Sequence, residues 1–208
     1  MARPVLYVLA GVNGAGKSSI GGYLLARAGL AWFNPDTFAR ELRAATGCAQ
    51  EDANAAAWHE GVRRLDQAVS EERTYAFETT LGGNSVPARI RAATQSHDVI
   101  IWFCGLASAD QHVARVKARV TMGGHDIPED KIRERCTTSP ANLIALMPHL
   151  AHLQVYDNSI DAAPGDAVPD PLLLLEMSYG KLSWPTSPQD LRRTPEWAKP
   201  IVEAALAL

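Results

Sequence analysis

Eight consecutive residues, Gly11-Val12-Asn13-Gly14-Ala15-Gly16-Lys17-Ser18, follow the pattern G-x4-G-K-[ST]. Each residue type in it has a chemical reason. Glycines let successive backbone N–H groups turn inward as an anion nest, where side chains would block a phosphate. A helix starting near Lys17 adds the positive end of its dipole. Lys17 is placed to reach β- and γ-phosphates, and the Ser18 hydroxyl is a ligand for Mg2+. Gly11 to Ser19 are therefore read as a nucleotide-binding loop for ATP or GTP with Mg2+.

Two carboxylates stand where they could serve phosphoryl transfer. Asp36 follows the short run Trp32-Phe33-Asn34-Pro35, and Glu78 ends Thr74–Phe77 and precedes Thr79-Thr80. One such acid can accept the proton of an attacking hydroxyl, and another can hold Mg2+ or the acceptor. Asp36 is thus the candidate base, Ser18 and Glu78 the candidate metal ligands, and Asp36, Glu78, Thr79 and Thr80 the candidate acceptor contacts. An ordinary helix N-cap is the other reading of Asp36, and a solvated strand end the other reading of Glu78. Six basic residues fall within Arg115–Arg135, a local excess of two positive charges. Arg115 and Arg119 share a helix face, and Arg133 could fold back past the Gly123-Gly124-His125-Asp126 turn. Guanidinium groups there would neutralise a transferring phosphoryl, and a helix-loop-helix lid would exclude water. A merely solvated pair of charged helices is the alternative. Asn158, after Tyr156-Asp157, is a candidate for the adenine edge or a simple turn. His149 and His152 lack a third metal ligand in view, and Cys104 reads as a buried strand thiol.

These residues need a scaffold. Val5–Ala10 is a continuous apolar run, as in a strand buried on both faces. The pattern then predicts a helix over Lys17–Ala28 with Gly29 as its cap, a short strand at Trp32–Asn34 and a helix from Pro35 through Arg43. A long helix over Glu51–Glu72, a strand at Thr74–Glu78 and a helix at Ser85–Gln95 follow. Asp98–Gly105 is the most apolar strand, and helices at Ser108–Val120 and Pro128–Leu150 flank the glycine turn. Leu153–Tyr156 is a fifth strand. Beyond it lie one more apolar run, Leu172–Met177, and a closing helix, Pro195–Ala207. Alternating strands and helices imply an α/β fold, a doubly wound, mostly parallel five-stranded sheet with helices on both faces. The chemistry-bearing residues all fall at carboxyl ends of strands, where such sheets bind ligands. One domain over 1–208 is expected, with a lid at about 108–150 and a tail at about 160–208.

Composition narrows the partners. The chain has 208 residues with a net charge of −3, which argues against nucleic acid. Three scattered cysteines, no signal-peptide pattern and no membrane-length apolar run point to a cytoplasmic protein without a membrane partner.

The ordered series LAGVNGAGKSS, FNPDTFA, FETTLGG, RVKARVTMGGHDIPEDKIRERC, Asn142-Leu143 and VYDNS resembles the zeta-toxin family of P-loop kinases, and its short bacterial branch most. The resemblance implies a P-loop fold and transfer of the γ-phosphoryl of ATP or GTP to a small-molecule hydroxyl, such as that of the sugar nucleotide UDP-N-acetylglucosamine. It also implies that Asp36 is the base, that Glu78 assists at the acceptor or Mg2+, and that an antitoxin protein is a possible partner. The rival readings are a kinase of another small metabolite and a nucleotide-binding regulatory protein without phosphotransfer.

Overall fold

The computed structural model describes residues 2–27, 29–161 and 169–208. Strand β1 (Val5–Gly11) leads into helix α1 (Lys17–Arg27), followed by α2 (Pro35–Thr46) and α3 (Gln50–Ser70). Strand β2 (Tyr75–Thr79), α4 (Ser85–Ala93), β3 (Asp98–Gly105), α5 (Ala109–Thr121), α6 (Glu129–Leu146) and β4 (His152–Asp157) come next. The remainder contributes β5 (Leu172–Ser178), β6 (Lys181–Trp184), a one-turn helix α7 (Pro188–Leu191) and α8 (Lys199–Leu206). Two expectations touch residues outside the described set: the end of the first helix at Ala28, and residues 162–168 of the tail.

The strands form one sheet in the order β2-β1-β3-β4-β5-β6. The first four pair in parallel, and β5 and β6 run antiparallel. The sheet thus has six strands rather than five, for two reasons. Trp32–Asn34 is no strand: Phe33 forms only a bridge to Phe77. The tail, for its part, adds a hairpin, because Tyr179 and Gly180 both take positive φ (47° and 73°) and so close a two-residue turn that matches strand twist. The expected α/β architecture holds otherwise.

Side-chain alternation along β1 explains the two helical layers. Leu6, Val8 and Ala10 face the larger core with Leu65 of α3, Ile90 of α4, Leu143 of α6 and Ile201 of α8. Leu9 faces the other side, where it packs with Leu25 of α1. Burying each of the leucine, isoleucine and valine side chains contributes about 1.5–3 kcal/mol. The chain leaves β1 towards β2 on one side and later places β3 on the other. The crevice at this reversal, outside the carboxyl end of β1, is where open α/β sheets take ligands. Among the described residues no helix is long and apolar enough to cross a membrane.

Candidate active site

The loop after β1 occupies that crevice. Gly11, Gly14 and Gly16 have φ of 134°, 81° and 81°, a region that side chains rarely adopt. Space is short as well: a Cβ at Gly16 would run into the Asn158 amide, and one at Gly14 would come within 2.9 Å of His112 O. The loop is braced from outside. Asn158 Nδ2 donates to Ala15 O at 3.0 Å, so Asn158 stands as a buttress of the loop. His112 of α5, 3 % exposed, donates from Nδ1 to Asn13 O at 2.8 Å. Burial pushes the His112 imidazole down to about 4, which keeps it neutral beneath the loop. Val12 is buried against Val113, Val116 and Ile132, so the loop is packed directly on α5 and α6. Ala15 is buried beside Cys104 and Leu106, and burial raises the Cys104 thiol to about 12, consistent with an inert core sulfur. Ser19 lies on the first turn of α1, its N–H donating to Gly16 O at 3.1 Å.

Lys17 is 7 % exposed and Glu78 9 %. Lys17 Nζ donates to Val12 O at 3.3 Å and lies 3.6 Å from Glu78 Oε1. Ser18 Oγ donates to Glu78 Oε2 at 2.7 Å. Glu78 is therefore no solvated strand end. A hydroxyl and a carboxylate side by side are the hard oxygen donors that Mg2+ prefers, with its other positions left to water and phosphate, so this pair fits the ion.

Asn34 completes the group, and sequence reasoning assigned it no role. Its Oδ1 accepts from Asp36 N and Thr37 N at 2.8 and 3.1 Å, which makes it the N-cap of α2, with Pro35 in the first turn. Its Nδ2 donates to Glu78 Oε2 at 3.0 Å and to Ser18 Oγ at 3.2 Å. Because Asn34 caps the helix, the Asp36 side chain is released from that task. The Asn-Pro pair ahead of a helix was the available signal.

The lid reaches Asp36 from above. Arg119 Nη1 donates to Asp36 Oδ2 at 3.1 Å, and His125 Nε2 lies 3.6 Å from Asp36 Oδ1. Gly124 makes room, since a Cβ there would meet Arg119 Cγ at 2.7 Å. The other lid arginines part ways. Arg115 binds Asp161 and Asn158 O beside the phosphate loop. Arg133 is taken up by Asp110 and Glu129 at an exposed position, so its expected fold-back onto the site does not occur. Arg135 takes that place. Its Nη1 donates to Asn13 Oδ1 at 2.7 Å, and a Cβ at Gly82 would collide with its Cγ at 2.6 Å. Burial lowers the Arg135 pKa.

Between the loop, α3, the end of β2 and the lid lies a cavity of about 360 Å3, within the range of small-molecule sites. Asp36, Lys17, Glu78, Thr79, Thr80 and Arg135 are at its polar end, and Phe33, Trp58, Val62, Leu65 and Phe77 form its apolar wall. Thr79 and Thr80 also cap their own turn by accepting from Leu81 N and Gly82 N. Asn142 holds the same turn through Leu81 O.

A Haemophilus influenzae protein of uncharacterised activity is 33% identical over 69 residues, which is 33% of this chain and 49% of that protein, so the match spans about half of its length. The AvrRxo1-ORF1:-ORF2 complex, solved with ATP, superimposes with a TM-score of 0.66 at 16% identity, over 98% of this chain and 64% of that one. A kinase candidate from Chloroflexus aurantiacus gives a TM-score of 0.54 at 18% identity, over 65% and 78% of the two chains. These structures share the fold. Residues 1–162 match the family model described as Zeta toxin, and the chain belongs to that family.

Proposed function

We propose that the protein is a kinase that transfers the γ-phosphoryl of ATP to a hydroxyl of a small molecule, with a sugar nucleotide such as UDP-N-acetylglucosamine as the leading acceptor. The observation that carries this reading is the placement of Asp36, Lys17 and Glu78 in the lining of one cavity, with Ser18 hydrogen-bonded to Glu78. The Gly11–Ser18 backbone and Lys17 hold the nucleotide phosphates. Mg2+, when bound by Ser18 and Glu78, would neutralise charge on the β- and γ-phosphates. Asp36 takes the proton of the acceptor hydroxyl as its oxygen bonds to the γ-phosphorus. The bond from that phosphorus to the β,γ-bridging oxygen breaks, and ADP leaves. Arg119, next to Asp36, and Arg135, next to the loop, face the charge that spreads over the phosphoryl oxygens. Arg115 stays beside the nucleotide side of the loop and steadies it through Asn158. ATP is written as the donor because a fold-related complex was solved with it, and GTP is the alternative donor. The chain works as one unit over 1–208 in the cytoplasm, and an antitoxin protein that restrains it fits the family.

Incubating the protein with ATP, Mg2+ and a panel of sugar nucleotides, with 31P or mass-spectrometric detection, yields a phosphorylated acceptor. Asp36→Asn lowers that turnover by about 10²–10⁴-fold while ATP binding persists. Full transfer by the Asn variant would remove Asp36 from the role of base. Induction of the wild type arrests growth and Lys17→Ala does not; healthy growth with the wild type would argue against toxicity and leave the kinase activity standing.

A further inference from the structure

A second chamber, of about 380 Å3, opens on the other side of the Asp36–His125 pair. Its character is the reverse of the first. Where the acceptor cavity is walled mostly by apolar side chains, this one is lined by Arg40 and Arg43 of α2, Arg119 of α5, Gln50 and the glycine turn. Arg40 and Arg43 are three residues apart on one helix face, a spacing at which like charges repel. Arg43 is aimed by a 2.6 Å hydrogen bond from its Nη1 to Gln50 Oε1. The lining contains a single carboxylate, Asp36, and both of its oxygens already face Arg119 and His125. Among the described residues, no acid is left in the chamber to balance Arg40 and Arg43. Arg119 adds a further imbalance, because its Nε and Nη2 are shut off from solvent without an acceptor. Buried donors of that kind cost stability until something accepts from them. Arg119 is ion-paired to Asp36, and the exposed Arg40 and Arg43 have no carboxylate of their own in the lining; two guanidinium groups free of a counter-charge at the rim of one cavity are the chemistry that recognises a phosphate.

We propose that this chamber is an anion subsite for the acceptor: a phosphate group that the acceptor carries binds Arg40 and Arg43, and its hydroxyl is thereby delivered to Asp36. The acceptor half of this statement rests on the kinase reading, whereas the anion site itself does not.

Inorganic phosphate is titrated calorimetrically into protein saturated with Mg2+ and a non-hydrolysable ATP analogue, so that the loop after β1 is already filled. The wild type binds one phosphate saturably, and Arg40→Ala/Arg43→Ala weakens that binding at least tenfold with unchanged affinity for the analogue. No saturable binding by the wild type, or equal binding by the double variant, overturns the site. In a second arm, matched alcohols are offered as acceptors: UMP against uridine, and N-acetylglucosamine 1-phosphate against N-acetylglucosamine. The phosphate esters are used with a KM at least tenfold lower than the neutral partners, and the double variant erases that gap without altering the KM for ATP. Equal use of ester and alcohol by the wild type overturns the acceptor assignment. A wild type that binds phosphate but neither ATP nor its analogue would sink the kinase reading and keep the anion site.

Discussion

The phosphate loop and the lid both gather charge at the same crevice, yet they are built on opposite principles. The loop is backbone, held in place by satisfied partners: the part-buried Asn158 on Ala15, the buried His112 on Asn13, and Val12 in an apolar cluster. The lid is side chain. It contributes long cations from helices whose other cations are spent on surface carboxylates, as with Lys117 on Glu129 and Lys131 on Glu134. Its site-facing members, Arg119 and Arg135, touch the site through single hydrogen bonds to Asp36 and Asn13. A cradle for the invariant part of a nucleotide can be rigid, because phosphates have one shape. Groups that meet charge only as it develops must stay partly unpaired before that moment.

The contrast can be tested by breaking each side. Lys17→Met removes the one cation that belongs to the loop and is expected to lower phosphotransfer about 10²–10³-fold, since the charge it offers is nearly desolvated; steady-state kinetics with circular dichroism as a folding control reads this. A smaller effect concerns the bracing under the loop. Burial holds His112 near 4 in the fold, whereas an unfolded chain takes up that proton near 6.5. Stability is thus present above pH 6.5 and is lost as pH falls towards 4, by about 2 kcal/mol at pH 5. Urea midpoints at pH 7 and pH 5 measure the loss, and His112→Asn, which retains a donor for Asn13 O, should flatten the slope. Among lid cations, Arg135→Ala should cost about tenfold in kcat/KM through one lost charge-assisted bond near the phosphoryl. Arg133→Ala should leave turnover within about twofold, because its partners are exposed Asp110 and Glu129. Equal losses from Arg133 and Arg135 would dissolve the distinction between surface and site cations.

How much of this could be read from residues alone follows the same division. The loop was legible because its pattern is local: glycines, lysine and serine in fixed order between an apolar strand and a helix. The paired acids at Asp36 and Glu78 were legible from their places at strand ends, and both sit at the cavity. The choice among Arg115, Arg119, Arg133 and Arg135 was not legible. Which face of α6 turns inward depends on packing such as Ile132 against Val12, and on the gap that Gly82 leaves for Arg135. His112 carried no signal either, since a histidine on a helix looks the same whether it meets water or a carbonyl. In the sheet, Trp32–Asn34 has the composition of a strand but too little length to form more than a bridge. The Tyr179-Gly180 turn was a local clue to the sixth strand.

Asn34 sets a limit on how this protein can change. One end of its side chain holds the start of α2 and the other end holds Glu78 and Ser18. Aspartate or serine would still cap the helix but would lose the amide that donates to the carboxylate, and aspartate would set a second negative charge against Glu78. Selection for a sturdier helix and selection for faster chemistry therefore act on the same atoms. Drift at this position is constrained from two directions, and a library that randomises residues 34–37 should return few active members even among those that fold well.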